Sequence, residues 1–310
     1  MERSDEMNID DVRQVLIIGA GNMGQQIGFQ CAVSGYDVIF YDVGQGALEK
    51  AKDRIGKLAK TYMAAGRLTE ESAHALLKRI KMEYDAEEAG RNSDFVSESV
   101  PEDPALKGRV FAQFNKICPA HAIFTTNTSS LIPSMFAEAT GRPEKFAAFH
   151  FHDVRVTNIV DIMPHPGTSE ETIGLIKVFA ERIGQAPIML KKENFGYVFN
   201  AMLMELFKSA QTLAANNVAT AEEIDRAWMG VMHTVAGPFG IMDSIGLDTA
   251  WKVTDYWANK TKDPQSLANA AFLRLYVDKG HLGVKSGKGF YTYPEPAFGK
   301  PGFIEGIKTY

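Results

Sequence analysis

The chain has 310 residues, 45% of them hydrophobic and 23% charged, with a net charge of −5 and two cysteines. That length suits two domains with cores of their own, and the mild negative charge offers no electrostatic footprint for nucleic acid. Cys31 and Cys118 make neither a disulfide framework nor a metal spacing, and the most apolar long stretch, Ala227 to Leu247, is broken by His233, Gly237-Pro238, Asp243 and Gly246, so no membrane span is expected.

The amino terminus, Met1 to Glu6, is polar and lacks the apolar core of a signal peptide. The expectation is a reducing, cytoplasmic compartment. Val15-Leu16-Ile17-Ile18 then reads as a buried strand running into Gly19-Ala20-Gly21-Asn22-Met23-Gly24, with a helix from about Met23 to Val33. Gly19 allows a tight turn, Gly21 lets the backbone approach a pyrophosphate, and Gly24 lets the helix pack close to the sheet. The pyrophosphate would rest on helix N–H groups at the positive end of the dipole. A second strand, Val38-Ile39-Phe40-Tyr41, ends in Asp42, eighteen positions beyond Gly24. An acid there accepts hydrogen bonds from adenosine ribose hydroxyls and repels a 2′-phosphate. No arginine follows in Val43-Gly44-Gln45, so the pattern favours NAD over NADP. Three glycines alone also occur in ordinary turns; the strand before, the helix after and the acid beyond make the pattern specific.

Between about Gly46 and Ile80 the pattern is helical. Leu48, Ala51, Ile55, Leu58 and Tyr62 recur at three- and four-residue spacing, and Thr69 caps a second helix that runs to Ile80. This predicts a helical hairpin inserted in the nucleotide fold. Its first arm carries Lys50, Lys57 and Lys60 among other cations. A solvated face is the ordinary explanation for such a run, and a contact to a phosphorylated substrate tail is the sharper one.

Strand character returns at Asp94-Phe95-Val96, at Ala122 to Thr125 and at Lys145 to Phe149. Each of these ends in polar residues: Ser97 to Glu102, Asn127 to Ser130, and His150 to Asp153. In an open parallel sheet ligands lie outside the carboxyl ends of the strands. From about Glu193 the rhythm becomes helical, beginning with Tyr197 to Ala215. The fold class is α/β: a doubly wound Rossmann-type parallel sheet over residues 1–190, with the hairpin at about 46–80, then an all-helical carboxyl-terminal domain over 191–310.

At these strand ends the sequence resembles the 3-hydroxyacyl-CoA dehydrogenase family over nearly its whole length. The likeness lies in the glycine loop with Asp42, Gly66-Arg67-Leu68-Thr69, Glu98 to Glu102 with Lys107, Asn127-Thr128-Ser129-Ser130-Leu131, His150-Phe151 and Phe195 to Asn200. It continues in Gly237-Pro238-Phe239, Asp243, Gly246-Leu247-Asp248 and Gly283 to Tyr291. The resemblance implies NAD as cofactor, an acyl-CoA substrate of L configuration, a role in fatty acid metabolism and a homodimer built on the helical domain. It implies that His150 is the base for the 3-hydroxyl, a task suited to a side chain with an unperturbed pKa of about 6.5. It places Asp161 as the carboxylate that orients His150, Ser129 and Asn200 as donors to substrate oxygens, and Glu102 and Lys107 near the cofactor, with Ser129 close to both ligands. Singly, such residues are more often a satisfied histidine, a helix cap or a buried amide; together they gather at the substrate end of a dinucleotide fold.

Two departures stand out. Members commonly read His-Phe-Phe-Asn-Pro, whereas this chain reads His150-Phe151-His152-Asp153-Val154, which brings an acid, Asp153, toward the nicotinamide. The carboxylate partner is an aspartate eleven residues past His150, one fewer than the family's glutamate. Either the loop re-routes so that Asp161 reaches the histidine, or another group orients it. Dehydrogenation of a free 3-hydroxy acid, as in gulonate or carnitine dehydrogenases, and a non-catalytic NAD-binding protein are the alternatives.

Overall fold

The computed structural model describes residues 8–306, so the polar amino terminus, Met1 to Glu6, lies outside the described residues. Eight strands form one sheet: β1 (Gln14–Ile18), β2 (Asp37–Tyr41), β3 (Ile80–Glu83), β4 (Phe95–Glu98), β5 (Ile123–Thr126), β6 (Phe146–Phe151), β7 (Ile159–Pro164) and β8 (Ala186–Met189). Their order is β3-β2-β1-β4-β5-β6-β7-β8. Strands from β3 through β6 run parallel, β7 is antiparallel to β6, and β8 is parallel to β7. Winding proceeds one way from β1 to β2 and the other way from β1 to β4, so the crevice for a ligand opens between β1 and β4.

The sequence writes this sheet by burying both faces. Along β1, Val15 and Ile17 enter one core with Val38, Phe40, Phe95, Phe149 and Phe179, while Leu16 and Ile18 enter another with Tyr41, Val96, Phe111 and Phe124. Side chains alternate across a strand, so an unbroken apolar run feeds two layers at once. Each large apolar side chain so buried contributes about 2 kcal/mol. Helices α1 (Asn22–Val33), α2 (Gln45–Ala64), α3 (Glu70–Lys78), α4 (Ala86–Gly90), α5 (Pro104–Asn115) and α6 (Glu170–Arg182) connect the strands. Leu48, Ala51, Ile55 and Ala59 of α2 form the buried stripe that docks the hairpin on the first core. Thr69 starts α3 through a reciprocal capping box with Ser72.

Three local expectations are corrected. The second arm of the hairpin stops at Lys78, and Ile80–Glu83 pairs with β2 as an edge strand. Strand β6 runs on through His150 to Phe151, beyond the expected end at Phe149. Tyr197 precedes its helix instead of starting it, since its φ of +56° is left-handed.

The described chain divides after Val198. The second unit contains α7 (Phe199–Ala215), α8 (Ala221–Met232), α9 (Pro238–Ile245), α10 (Leu247–Thr261) and α11 (Pro264–Val277), packed on a core that includes Phe207, Phe239, Met242, Leu247 and Leu273. No helix among the described residues is long and apolar enough to cross a membrane.

Candidate active site

The glycine loop leaves β1 exactly where the sheet changes winding direction, and two of its glycines are fixed by contact. Gly19 has φ +100° and a Cβ there would stand 2.7 Å from the Ser99 carbonyl; a Cβ on Gly24 would stand 2.0 Å from the Gly19 carbonyl. Both positions therefore exclude any side chain. At Gly21 an added Cβ would meet nothing within 4 Å, and the buried Ser99 hydroxyl beside the loop has no partner among the described residues. Open space over α1 and an unsatisfied hydroxyl fit a bound dinucleotide. Asp42 braces the loop: its carboxylate accepts from the Ala20 and Gly44 amides, each at 2.9 Å. Ala20, Asn22 and Met23 complete the turn into α1.

At the ends of β4 and β5 a buried charge system holds the next loop. Lys107 is 1% exposed, and its ammonium lies 2.7 Å from Glu98 and 3.3 Å from Glu102. Burial pushes the Glu98 carboxyl up, opposed by Lys107 and by the Thr126 hydroxyl. Glu102 Oε1 accepts from the Thr128 hydroxyl, from the Ser130 hydroxyl and from the Ser129 and Ser130 amides. Burial works to raise Glu102, but these hydrogen bonds and Lys107 outweigh it and hold the carboxyl below its ordinary range. The loop is thus clamped by its backbone while the Ser129 side chain stays on the exposed surface.

The eleven-residue spacing of His150 and Asp161 resolves as a cross-strand pair. The antiparallel register of β6 and β7 sets the two residues opposite each other, and Asp161 Oδ2 lies 3.1 Å from His150 Nδ1. His152 Nε2 approaches the same oxygen at 3.2 Å. Burial works to raise Asp161, but the hydrogen bonds and charges of His150 and His152 outweigh it and keep the carboxyl below its usual range. An ionised carboxylate only accepts, so both imidazoles donate to it. His150 then carries its proton on Nδ1 and offers the lone pair of Nε2.

Tyr197 packs its ring 4.7 Å from that of His150 and donates its hydroxyl to the Thr128 carbonyl at 2.6 Å. Burial pushes the Tyr197 phenol well above its ordinary value, so it remains a neutral donor. Asn127 ties the β5 loop to β6 by accepting from the Phe151 amide at 2.8 Å. Asp153 is drawn into an ion pair with Arg155, whose hydrogen bond holds its carboxyl low. The negative charge expected beside the nicotinamide is therefore balanced within the same loop.

A cleft of about 570 Å³ lies between α1, the hairpin and the β6–β7 loop. Arg54, Lys57, Arg67 and Arg155 line it, and Gln26, whose buried Nε2 has no partner among the described residues, is in its wall. Lys57 is the one of the three expected lysines in this lining; Lys50 and Lys60 are exposed outside it. Asn200 lies in the first turn of α7, in the second unit. The sequence offered Arg54 among the cations of the hairpin's first arm, but it gave His152, Tyr197, Arg67 and Arg155 no part in the site. Only His152 left a signal, because two residues along a strand return to the same face.

The carboxyl-terminal motifs make structure. Asp225 accepts from the Phe239 and Gly240 amides at 2.8 Å each and from the Tyr291 hydroxyl at 2.9 Å. Asp243 accepts from the Phe290 and Tyr291 amides at 2.9 Å each and from the Tyr293 hydroxyl at 3.0 Å. A Cβ on Gly289 would stand 2.0 Å from the Asp243 carboxylate, which explains glycine in Lys288-Gly289-Phe290.

Comparison with known proteins agrees with this layout. Residues 14–194 match the model of the 3-hydroxyacyl-CoA dehydrogenase NAD-binding domain, and residues 196–293 match that of the carboxyl-terminal domain of the same enzymes. A probable 3-hydroxybutyryl-CoA dehydrogenase of Bacillus subtilis is 33% identical, over 92% of this chain and 99% of that protein. Among solved structures, (S)-3-hydroxybutyryl-CoA dehydrogenase from Ralstonia eutropha is 30% identical with a TM-score of 0.83, covering 92% of this chain and 100% of the other. A diketoreductase acting on dicarbonyl compounds is 37% identical with a TM-score of 0.84, covering 91% and 99%.

Proposed function

Because the chain belongs to the 3-hydroxyacyl-CoA dehydrogenase family, we propose that it interconverts an L-3-hydroxyacyl-CoA and its 3-ketoacyl-CoA with NAD, using His150 as the base. The observation that carries this reading is the Asp161 carboxylate on His150 Nδ1 at 3.1 Å. It fixes the tautomer whose Nε2 accepts the 3-hydroxyl proton, and it stabilises the imidazolium that forms. NAD, when bound, supplies the acceptor for the C3 hydride. Gly19 to Gly24 and Asp42 hold the dinucleotide, and Lys107 and Glu102 support it by fixing the loop of Ser129. Ser129 is assigned a hydrogen bond to the substrate oxygens. Tyr197 keeps the His150 ring in place from its free face.

The thioester enters this reading through the cationic cleft. Phosphates of a coenzyme A tail need guanidinium or ammonium partners, and Arg54, Lys57, Arg67 and Arg155 supply them with Lys50 and Lys60 beyond the rim. The likeness to a diketoreductase favours a second reading, in which the substrate is a dicarbonyl or free hydroxy acid and the cleft takes a carboxylate. NADH formation measured across acyl-CoAs and the matching free 3-hydroxy acids decides between them. Thioesters turned over at higher kcat/KM support the first, and better turnover of the free acids supports the second. A homodimer built on the helical unit, a cytoplasmic location and a place in fatty acid metabolism complete the proposal; sedimentation velocity of the purified chain tests the dimer.

A further inference from the structure

Behind the proposed base stands a set of three ligands that the family pattern does not call for. The β6–β7 register sets Asp161 opposite His150, and His152, two residues on and just beyond the strand end, brings its imidazole to the same carboxylate. His150 Nδ1 and His152 Nε2 stand 3.1 and 3.2 Å from one Asp161 oxygen, and the ligand atoms of all three residues lie within 4.8 Å of one another. Metal–ligand bonds of about 2.0–2.2 Å at angles of about 90–110° put neighbouring ligand atoms roughly 3 Å apart. Strand register fixes His150 and Asp161, and His152 follows directly beyond the end of the strand. Where the family commonly has phenylalanine, this chain has His152, so the third ligand is its own.

We propose that His150, His152 and Asp161 form a binding site for a divalent transition-metal ion of the zinc class, and that occupying it switches the base off. The second half rests on the reading of His150 as the base. Two imidazoles and one carboxylate suit zinc or cobalt, whereas magnesium and calcium prefer oxygen alone. The side chains of His150 and Asp161 are 5% and 2% exposed and that of His152 is 19% exposed, so the ion enters past His152. On binding, the lone pairs of His150 Nδ1, His152 Nε2 and an Asp161 oxygen go to the metal, and two N–H···O hydrogen bonds are lost. Each ring proton moves to the opposite nitrogen and nothing is oxidised or reduced. A neutral imidazole has one lone pair, so His150 Nε2 then carries a proton and no longer accepts one from the substrate.

The test is calorimetric titration of the full chain, in the presence of NAD, with Zn²⁺ alone. One site per chain is expected, and Co²⁺ in its place should give visible d–d bands of nitrogen and oxygen coordination. His152→Phe and His152→Gln should each weaken zinc binding on the order of tenfold or more. The zinc concentration that halves turnover should rise in parallel, and a chelator should restore the parent rate. Zinc affinity in both variants equal to that of the parent chain overturns the site. Zinc bound through His152 with turnover undiminished keeps the site and overturns the switch. Zinc bound through His152 in a chain that never oxidises 3-hydroxyacyl-CoA supports the site and counts against the proposed function alone.

Discussion

Both units bury carboxylates, yet they partner them differently. In the nucleotide-binding unit Asp161 faces two imidazoles and Glu102 faces an ammonium and two hydroxyls, and both carboxyls are held below their usual range. In the helical unit the hydrogen bonds on Asp225 and Asp243 come from backbone amides and tyrosine hydroxyls. There burial prevails, pushing Asp225 up to about 6 and Asp243 upward as well. Hydrogen bonds and chargeable partners outweigh burial at Asp161 and Glu102, whereas at Glu98 burial prevails even beside Lys107, so the sign follows whichever of burial and partners is larger. One arrangement serves chemistry and the other serves shape.

The sharpest way to break the comparison is at the site. His150→Gln should lose on the order of two to four powers of ten in kcat, the usual worth of a general base, with NAD affinity and folding unchanged. A loss under tenfold would take the chemistry away from the Asp161 system.

The matching change in the helical unit should act on stability first. Asp225→Ala strips two buried amides of α9 of their acceptor, which should cost about 2–5 kcal/mol. All three tryptophans, Trp228, Trp251 and Trp257, lie in the second unit, so denaturant unfolding followed by their fluorescence reads this cost directly. Parent-like unfolding would mean that the clamp carries no weight.

Acidity separates Asp225 from Asp161 and Glu102 by sign. A carboxyl raised from 3.8 to about 6 binds its proton more readily folded than unfolded, so its contribution to stability rises as pH falls from above about 6 toward 4. For Asp225 the full swing is about 3 kcal/mol. The lowered Asp161 and Glu102 act oppositely: their contribution is full above the ordinary carboxylate pKa and is lost as pH falls through the depressed values. Tryptophan-detected stability should therefore improve between pH 7 and 5, and Asp225→Asn should flatten that slope. An unchanged slope in the variant would assign it to another group.

What the sequence disclosed follows the same division. The glycine loop, Asp42 and the loops bearing Ser129 and His150 were legible because turn chemistry and strand period are local. Strand β7 was not read as a return strand, since Val154-Arg155-Val156-Thr157-Asn158 lacks a glycine or proline turn signal. Nor was Tyr197, because a left-handed tyrosine held by Asn194, whose Nδ2 donates to its carbonyl at 2.8 Å, is a tertiary outcome. Asp243 sat in a recognisable motif, but its work as a clamp depends on Phe290, Tyr291 and Tyr293, 47 to 50 residues away, and Asp225 carried no local signal at all.

A smaller effect is expected at the cofactor. Asp42 braces the glycine loop and faces the adenosine ribose in the proposed complex, so Asp42→Ala should narrow the preference for NAD over NADP by on the order of tenfold, the worth of about 1.4 kcal/mol. Comparable kcat/KM for the two cofactors in the parent chain would show that the acid does not set the choice.

The smallest effect belongs to the cleft, where charge is exposed and therefore screened. Arg54, Lys57 and Arg67 are exposed on or beside the hairpin, while Arg155 is already paired with Asp153. Each exposed contact to a phosphate is worth well under about 1 kcal/mol at ordinary salt, so single changes should be nearly silent. Replacing Arg54, Lys57 and Arg67 together by glutamine should raise KM for an acyl-CoA several-fold at low ionic strength. The difference should shrink as salt brings the Debye length down to about 10 Å at 0.1 M. The KM for NAD should stay put, because in the proposed complex its phosphates rest on backbone amides of the glycine loop. A triple variant whose KM rises equally for thioesters and free hydroxy acids would mean that the cleft recognises a feature common to both, and the coenzyme A tail would have to be placed elsewhere.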